Sequence, residues 1–195
     1  MSTQPSFDAA EWLAKNTIGG RHLTPEASKA VADFTMMWNL FEGDACANTA
    51  SVREFERLAA SSNAENLPAD VIQSLEDCIA FWMFRYRTPD GFSERFVGLN
   101  FRTNDRRDHV ERVLLGERTS LQDKILALAV IVYRLRNNLF HGLKTLDMLN
   151  DQVSNLNTAS RCLGTLMTLK RSHLVRPPPP AEAQVHKGRS AAARK

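Results

Sequence analysis

Ile125-Leu126-Ala127-Leu128-Ala129-Val130-Ile131-Val132-Tyr133 runs straight into Arg134-Leu135-Arg136-Asn137-Asn138-Leu139-Phe140-His141-Gly142-Leu143-Lys144. The first nine residues carry no charge, yet nine residues are too few to span a bilayer. The run then gives way to two arginines, two asparagines, a histidine and a glycine. Upstream, Ser120 stands as a helix cap with Asp123 three positions on. Leu121, Ile125, Leu128, Val132, Leu135 and Leu139 recur at steps of three and four, the period of one helix face. Ala127, Ala129 and Val130 fill much of the remaining circumference. The spacing predicts a central, enclosed helix from Ser120 to His141 that Gly142 ends or bends. A helix that buries its body and presents Arg, Asn and His at one end holds polar chemistry rigidly.

Outward from this helix the same period repeats. Thr24-Pro25-Glu26 is a helix start: a capping Thr, then Pro in the first turn, then an acid facing the dipole. Ala27, Val31, Phe34, Trp38 and Phe41 form its apolar stripe, and Gly43 is read as its end. Ser51-Val52-Arg53-Glu54 has capping-box spacing before Phe55 and Leu58. Asn66-Leu67-Pro68 opens a helix with Val71, Leu75, Cys78 and Trp82 on one face, stopping before the turn Pro89-Asp90-Gly91. Residues 92–118 mix six arginines with five acids and read as a loop plus a short helix near Asp108–Leu115. They form either a solvated face with internal ion pairs or a path for RNA phosphates. A last helix is expected from Lys144 to His173. No stretch alternates as a strand would.

The expected architecture is therefore all-α, an up-and-down bundle of about five main helices. Residues 1–23 form an N-terminal segment with a short helix from Phe7 to Lys15 capped by Ser6. Residues 24–175 form the helical domain. Residues 176–195 form a Pro-rich, basic tail that reads as disordered: Pro177–Pro180 cannot continue a helix, and no apolar period follows.

Hydrophobic residues make up 43% of the 195 and charged residues 24%, values ordinary for a soluble globular domain. The net charge of +3 is unevenly spread. From Arg176 onward there are five Lys/Arg and one acid, a balance of +4; residues 1–175 hold 20 basic and 21 acidic residues, a balance of −1. Any basic surface in the folded part must be local. Cys46, Cys78 and Cys162 are far apart and show neither zinc spacing nor a disulfide framework. The polar N-terminus has no signal-peptide pattern, so the expectation is a cytoplasmic protein with no membrane span, no metal and no cofactor.

The string Arg136-Asn137-Asn138-Leu139-Phe140-His141 resembles the motif of the HEPN superfamily, an Arg followed after four to six residues by a His, often with a polar residue after the Arg. Phe34-Thr35-Met36-Met37-Trp38-Asn39-Leu40-Phe41-Glu42 resembles the first long helix of some members. The two segments lie about a hundred residues apart, and the resemblance covers roughly Thr24 to His173. It implies a HEPN-like bundle and a metal-independent endoribonuclease, of the kind found in toxin–antitoxin, phage-defence or RNA-processing settings. Arg136 and His141 would be catalytic. From the residues themselves, Asn137 shares a face with His141; Glu42, four residues after Trp38, adjoins the buried face and is either a solvated terminal carboxylate or a support that pairs with Arg136 or orients His141; Arg134 and Lys144 flank the motif and either contact RNA phosphate or stay solvated.

The residue types suit that chemistry. When a 2′-hydroxyl attacks the neighbouring phosphate, a base must take its proton, a cation must stabilise the phosphorane, and an acid must protonate the leaving 5′-oxygen. Histidine serves either proton-transfer role. The arginine fork matches phosphate oxygens. Arg136 and His141 lie about 140° apart around an ideal helix, whereas Asn137 and His141 share a face. One protomer thus offers a thin site. A two-fold homodimer would bring two Arg136–His141 pairs to one cleft, which the resemblance implies, together with an antitoxin or inhibitor protein as a further partner. The alternative is a non-catalytic RNA-binding, nucleotide-binding or protein-interaction module. In that case Arg136 pairs with Glu42 or an aspartate, and His141 caps the helix end.

Overall fold

The computed structural model describes residues 7–63, 67–140 and 146–174. Among these residues the fold is all-α. Five helices have ten or more residues: α2 (Pro25–Cys46), α3 (Val52–Ser61), α4 (Ala69–Tyr86), α7 (Leu121–Phe140) and α8 (Val153–Leu174). Three short ones complete the order: α1 (Ala9–Asn16), α5 (Glu94–Val97) and α6 (Arg107–Leu114). None is long and apolar enough to cross a membrane.

Capping side chains start the helices where local sequence predicts. Thr24 Oγ1 accepts from the Ala27 amide at 3.2 Å, Ser51 Oγ from Glu54 at 3.4 Å, and Ser120 Oγ from Asp123 at 3.1 Å. Each satisfies a backbone donor that the first helical turn leaves without a partner.

α7 is the enclosed helix of the bundle. Every residue from Ala127 to Val132 is buried, so both its flanks are covered. It packs against α3, α6, α8 and α4, while α2 lies along α8. The α2 stripe of Ala27, Phe34, Trp38 and Phe41 is buried, as are Val71, Leu75, Cys78 and Trp82 of α4. All three cysteines are free and buried.

Several boundaries differ from expectation. α2 does not stop at Gly43. It continues to Cys46, where Ala47 and Asn48 turn left-handed (φ 49° and 61°) and both amides return to the Glu42 carbonyl. Asp8, not Ser6, caps α1, accepting from the Glu11 amide at 2.9 Å; Ser6 lies outside the described residues. No residue of α1 is buried, and the segment is tied down beyond its end: Asn150 accepts from the Thr24 amide and donates to the His22 carbonyl. In that segment Gly20 is required, since a Cβ there would fall 2.1 Å from the Leu13 carbonyl oxygen. The final helix is preceded by a 3-10 segment, Asp147–Gln152, rather than running unbroken from Lys144. The turn at Pro89-Asp90-Gly91 closes a minimal hairpin of two two-residue strands, β1 (Arg87–Thr88) and β2 (Gly91–Phe92), with Gly91 at φ 130°. The Pro-rich tail lies outside the described residues.

Candidate functional site

The end of α7 sorts its polar side chains onto two flanks. Arg134 and Asn138, four apart, share one flank. Arg134 Nε donates to the Leu99 carbonyl at 3.0 Å, and Asn138 Nδ2 donates to the Gly98 carbonyl at 2.9 Å. Both side chains thus hold the turn after α5 against the helix. Arg134 also lies 3.1 Å from Asp105 Oδ2, with the two side chains 4% and 8% exposed. Asp105 in turn accepts from the Arg102 amide at 2.7 Å. Burial pushes the Arg134 guanidinium below its ordinary value, and Asp105 opposes that shift. The expectation that Arg134 contacts phosphate is corrected: it is an enclosed structural cation with its acid partner beside it.

Arg136 points the other way. Two residues correspond to roughly 160° of separation around the helix. Its guanidinium carbon sits 5.5 Å from the Trp38 ring centroid and 5.0 Å from that of Phe140. Both distances fall within cation–π range. Arg136 Nη1 donates to Asn137 Oδ1 at 3.2 Å, while Nε is buried without a hydrogen-bond partner among the described residues. The arginine is half-buried, and no carboxylate among the described residues reaches ion-pair distance of it.

Trp38 belongs to an aromatic cluster. It stacks on Tyr133 at 6.0 Å, and Phe55 meets Tyr133 edge-on at 5.5 Å. Phe41 contacts both Trp38 and Phe55. Arg136 and the half-exposed Phe140 therefore cap one edge of a rigid aromatic wall joining α2, α3 and α7.

Glu42 does not pair with Arg136. Its carboxylate accepts from Trp38 Nε1 at 3.0 Å and from the Ala50 amide at 3.3 Å. Trp38 stands between them, with the guanidinium over its ring and the carboxylate on its N–H. Asn137 is buried, 3% exposed, and serves as the acceptor that orients Arg136. His141 and Lys144 lie outside the described residues.

Four of the six arginines in the charged stretch 92–118 enter ion pairs, two within the stretch and two with acids outside it. Arg106 pairs with Glu56, Arg107 with Glu111, Arg112 with Glu117 and Arg118 with Asp123. Arg102 forms no such pair among the described residues. With Arg53, Thr103 and Tyr133 it lines a shallow groove, and Tyr133 is one helical turn from Arg136. Among the described residues no group of three or more His, Cys, Asp or Glu could hold a metal ion.

Sequence reading raised Arg102 only among the six arginines weighed as a path for RNA phosphates, and it did not single out Phe140 or the pairing of Arg102 with Arg53. Phe140 was accessible in principle, since it stands four residues from Arg136 and shares its face. The groove joins α3 to the loop before α6, fifty residues on, so the pairing of Arg53 with Arg102 carries no local signal. In comparisons with known proteins, no family model, no curated protein and no solved structure matches the chain.

Proposed function

We propose that the chain is a metal-independent endoribonuclease of HEPN type, acting as a homodimer in a toxin or phage-defence setting and restrained by an inhibitor protein. The observation that carries this reading is the state of Arg136. It is a half-buried cation, stacked between Trp38 and Phe140, aligned by Asn137, with no carboxylate to neutralise it among the described residues. A cation so held has no carboxylate among the described residues competing for a phosphate, and it loses little freedom on binding one. His141 follows Phe140 directly and supplies the proton-transfer group that the reaction needs.

In this reading the 2′-oxygen attacks phosphorus as a base takes its proton. Arg136 donates to the non-bridging oxygens as their charge grows. The bond to the 5′-oxygen breaks, and that oxygen receives a proton from an acid. The products are a 2′,3′-cyclic phosphate and a 5′-hydroxyl. One His141 acts as base and the partner's His141 acts as acid. Arg53 and Arg102 hold flanking phosphates.

A non-catalytic RNA-binding module is the second reading. The same groove favours it, because phosphate contacts at Arg53 and Arg102 need no histidine. Rates on a short RNA in EDTA separate the two. Wild type cleaves, Arg136→Ala loses about 10²–10³ in rate, and Arg136→Lys recovers little because a point charge does not replace the fork. Binding without cleavage by the wild-type protein leaves the module reading and removes the enzyme.

A further inference from the structure

Phe140 ends α7 and is 51% exposed. Single apolar side chains on a surface are ordinary. What sets this one apart is its backing. It stands one turn after Arg136, whose guanidinium carbon lies 5.0 Å from the ring centroid. The cation covers one side of the ring, so the accessible half is the side turned away from it. Trp38, against the same guanidinium, is 3% exposed and is anchored through Glu42. The order from the core outward is therefore indole, guanidinium, phenyl ring and solvent.

The same flank continues back along the helix. Tyr133, Arg136 and Phe140 are spaced three and four apart and share one face, over about 10 Å of axis. Beside Tyr133 the groove holds Arg53 and Arg102, both exposed and neither in an ion pair among the described residues. Cations thus lie at one end and in the middle of this strip, and a half-bare ring lies at the other end. A protein partner would call for a wider apolar patch. Met36 and Leu40, the exposed large apolar residues of α2, each stand two positions from Trp38, roughly 160° round that helix, and so face elsewhere. A nucleotide needs no wider patch, because it joins a phosphate to a flat base that stacks on a single aromatic face.

We propose that Phe140 is the stacking platform for an unpaired nucleobase adjoining the phosphate at Arg136, which makes single-stranded RNA the substrate class. The inference rests on the reading of Arg136 as the phosphate-holding cation. The base lies on the open side of the ring, its phosphate turns back to the guanidinium, and the strand continues toward Arg53 and Arg102. Because the ring is held from behind, it loses little freedom when a base settles on it. Stacking discriminates weakly among bases, so the site selects an exposed base and not a sequence. In a duplex every base is already stacked and paired, and the ring has nothing to take.

Short 2′-O-methyl RNA oligomers test this, because the methyl group blocks the attacking hydroxyl and leaves the strand whole. Binding of oligo(A), oligo(U), an abasic strand with the same number of phosphates, and the annealed A–U duplex is read by fluorescence anisotropy in EDTA at low salt. Wild type should bind both base-bearing single strands about tenfold more tightly than the abasic strand. Phe140→Ala should lose that preference while binding the abasic strand as wild type does. Phe140→Trp should keep it, and Phe140→Leu, apolar but without a π face, should not. The duplex should be bound equally by wild type and Phe140→Ala. If Phe140→Ala does not fold, Phe140→Leu takes its place, since it keeps most of the apolar volume. Equal binding of base-bearing and abasic strands by wild type, or a preference that survives both substitutions, overturns the proposal. So does a lower mass of the variant in light scattering, which would make the ring a contact between copies. The enzyme reading fails separately: a Phe140-dependent base preference without cleavage keeps the stacking site and removes the enzyme, and cleavage without that preference does the reverse.

Discussion

At Arg134 a guanidinium is enclosed with Asp105 and a backbone carbonyl, and removing it would leave a buried carboxylate without its counter-charge. Breaking such a pair costs about 3–5 kcal/mol. Arg134→Ala should therefore lower the melting temperature by roughly 10 °C, as read by differential scanning calorimetry. Adding Asp105→Leu should recover part of the loss, because the stranded charge goes with it. A surface arginine would show almost no change. Cys46 offers a pH test. Burial raises its thiol to about 12, with Glu42 and Glu54 adding and Lys170 opposing. An unfolded cysteine ionises near about 8.5. Between those values the unfolded chain binds fewer protons than the folded one, so this group's contribution to stability is complete below the lower value and is lost as pH rises above it. Iodoacetamide at pH 8.5 should accordingly label Cys46 far more slowly in native than in denaturant-unfolded protein, quantified by peptide mass spectrometry. Equal labelling would mean the thiol is neither buried nor raised.

At the scale of the element, α2 shows what local sequence conveys and what it does not. Its start is written in Thr24-Pro25-Glu26, and the structure caps it there. Its end is not at Gly43, because the Glu42 carbonyl is claimed by the amides of Ala47 and Asn48 in left-handed conformation. Gly43 is thus an exposed helix-interior glycine, and an added Cβ would meet only Asn48 Oδ1 at 3.5 Å. Gly43→Ala should stabilise the protein by about 1 kcal/mol, measured as a shift in the urea midpoint at constant slope. Destabilisation would show that Gly43 has another task. The apolar stripes of α2, α4 and α7 were legible because a helix repeats its buried face every three or four residues. The partners of Arg134 were not, since Leu99 and Asp105 come from a segment without period. The platform under Arg136 was half legible: Phe140 is local, whereas Trp38 arrives from the other end of the domain. Glu42 stands four residues from Trp38, and its carboxylate takes that indole N–H instead of reaching Arg136, a local pair that the spacing already offered.

For the whole molecule, α7 is both the most enclosed helix and the carrier of Arg136, and its end presents a hydrogen-bonded flank toward the turn after α5 and an aromatic-backed flank toward α2. The second of these carries Arg136, on which the proposed RNA cleavage rests; the first lies against a cavity of about 290 Å³. A homodimer is part of the enzyme reading, since one His141 per chain gives either an acid or a base but not both. Light scattering should then return a mass near twice 21.9 kDa at the concentrations where cleavage is seen. A strictly monomeric, active protein would remove the shared cleft. The most direct measurement is the chemistry of the 3′ ends left on RNA by purified protein in EDTA, read by mass spectrometry for wild type and His141→Ala side by side. The account predicts 2′,3′-cyclic phosphate ends from wild type and, with a rate lower by about 10²–10⁴, almost none from His141→Ala. The same ends at the same rate from both proteins, or no cleavage by wild type, would contradict it.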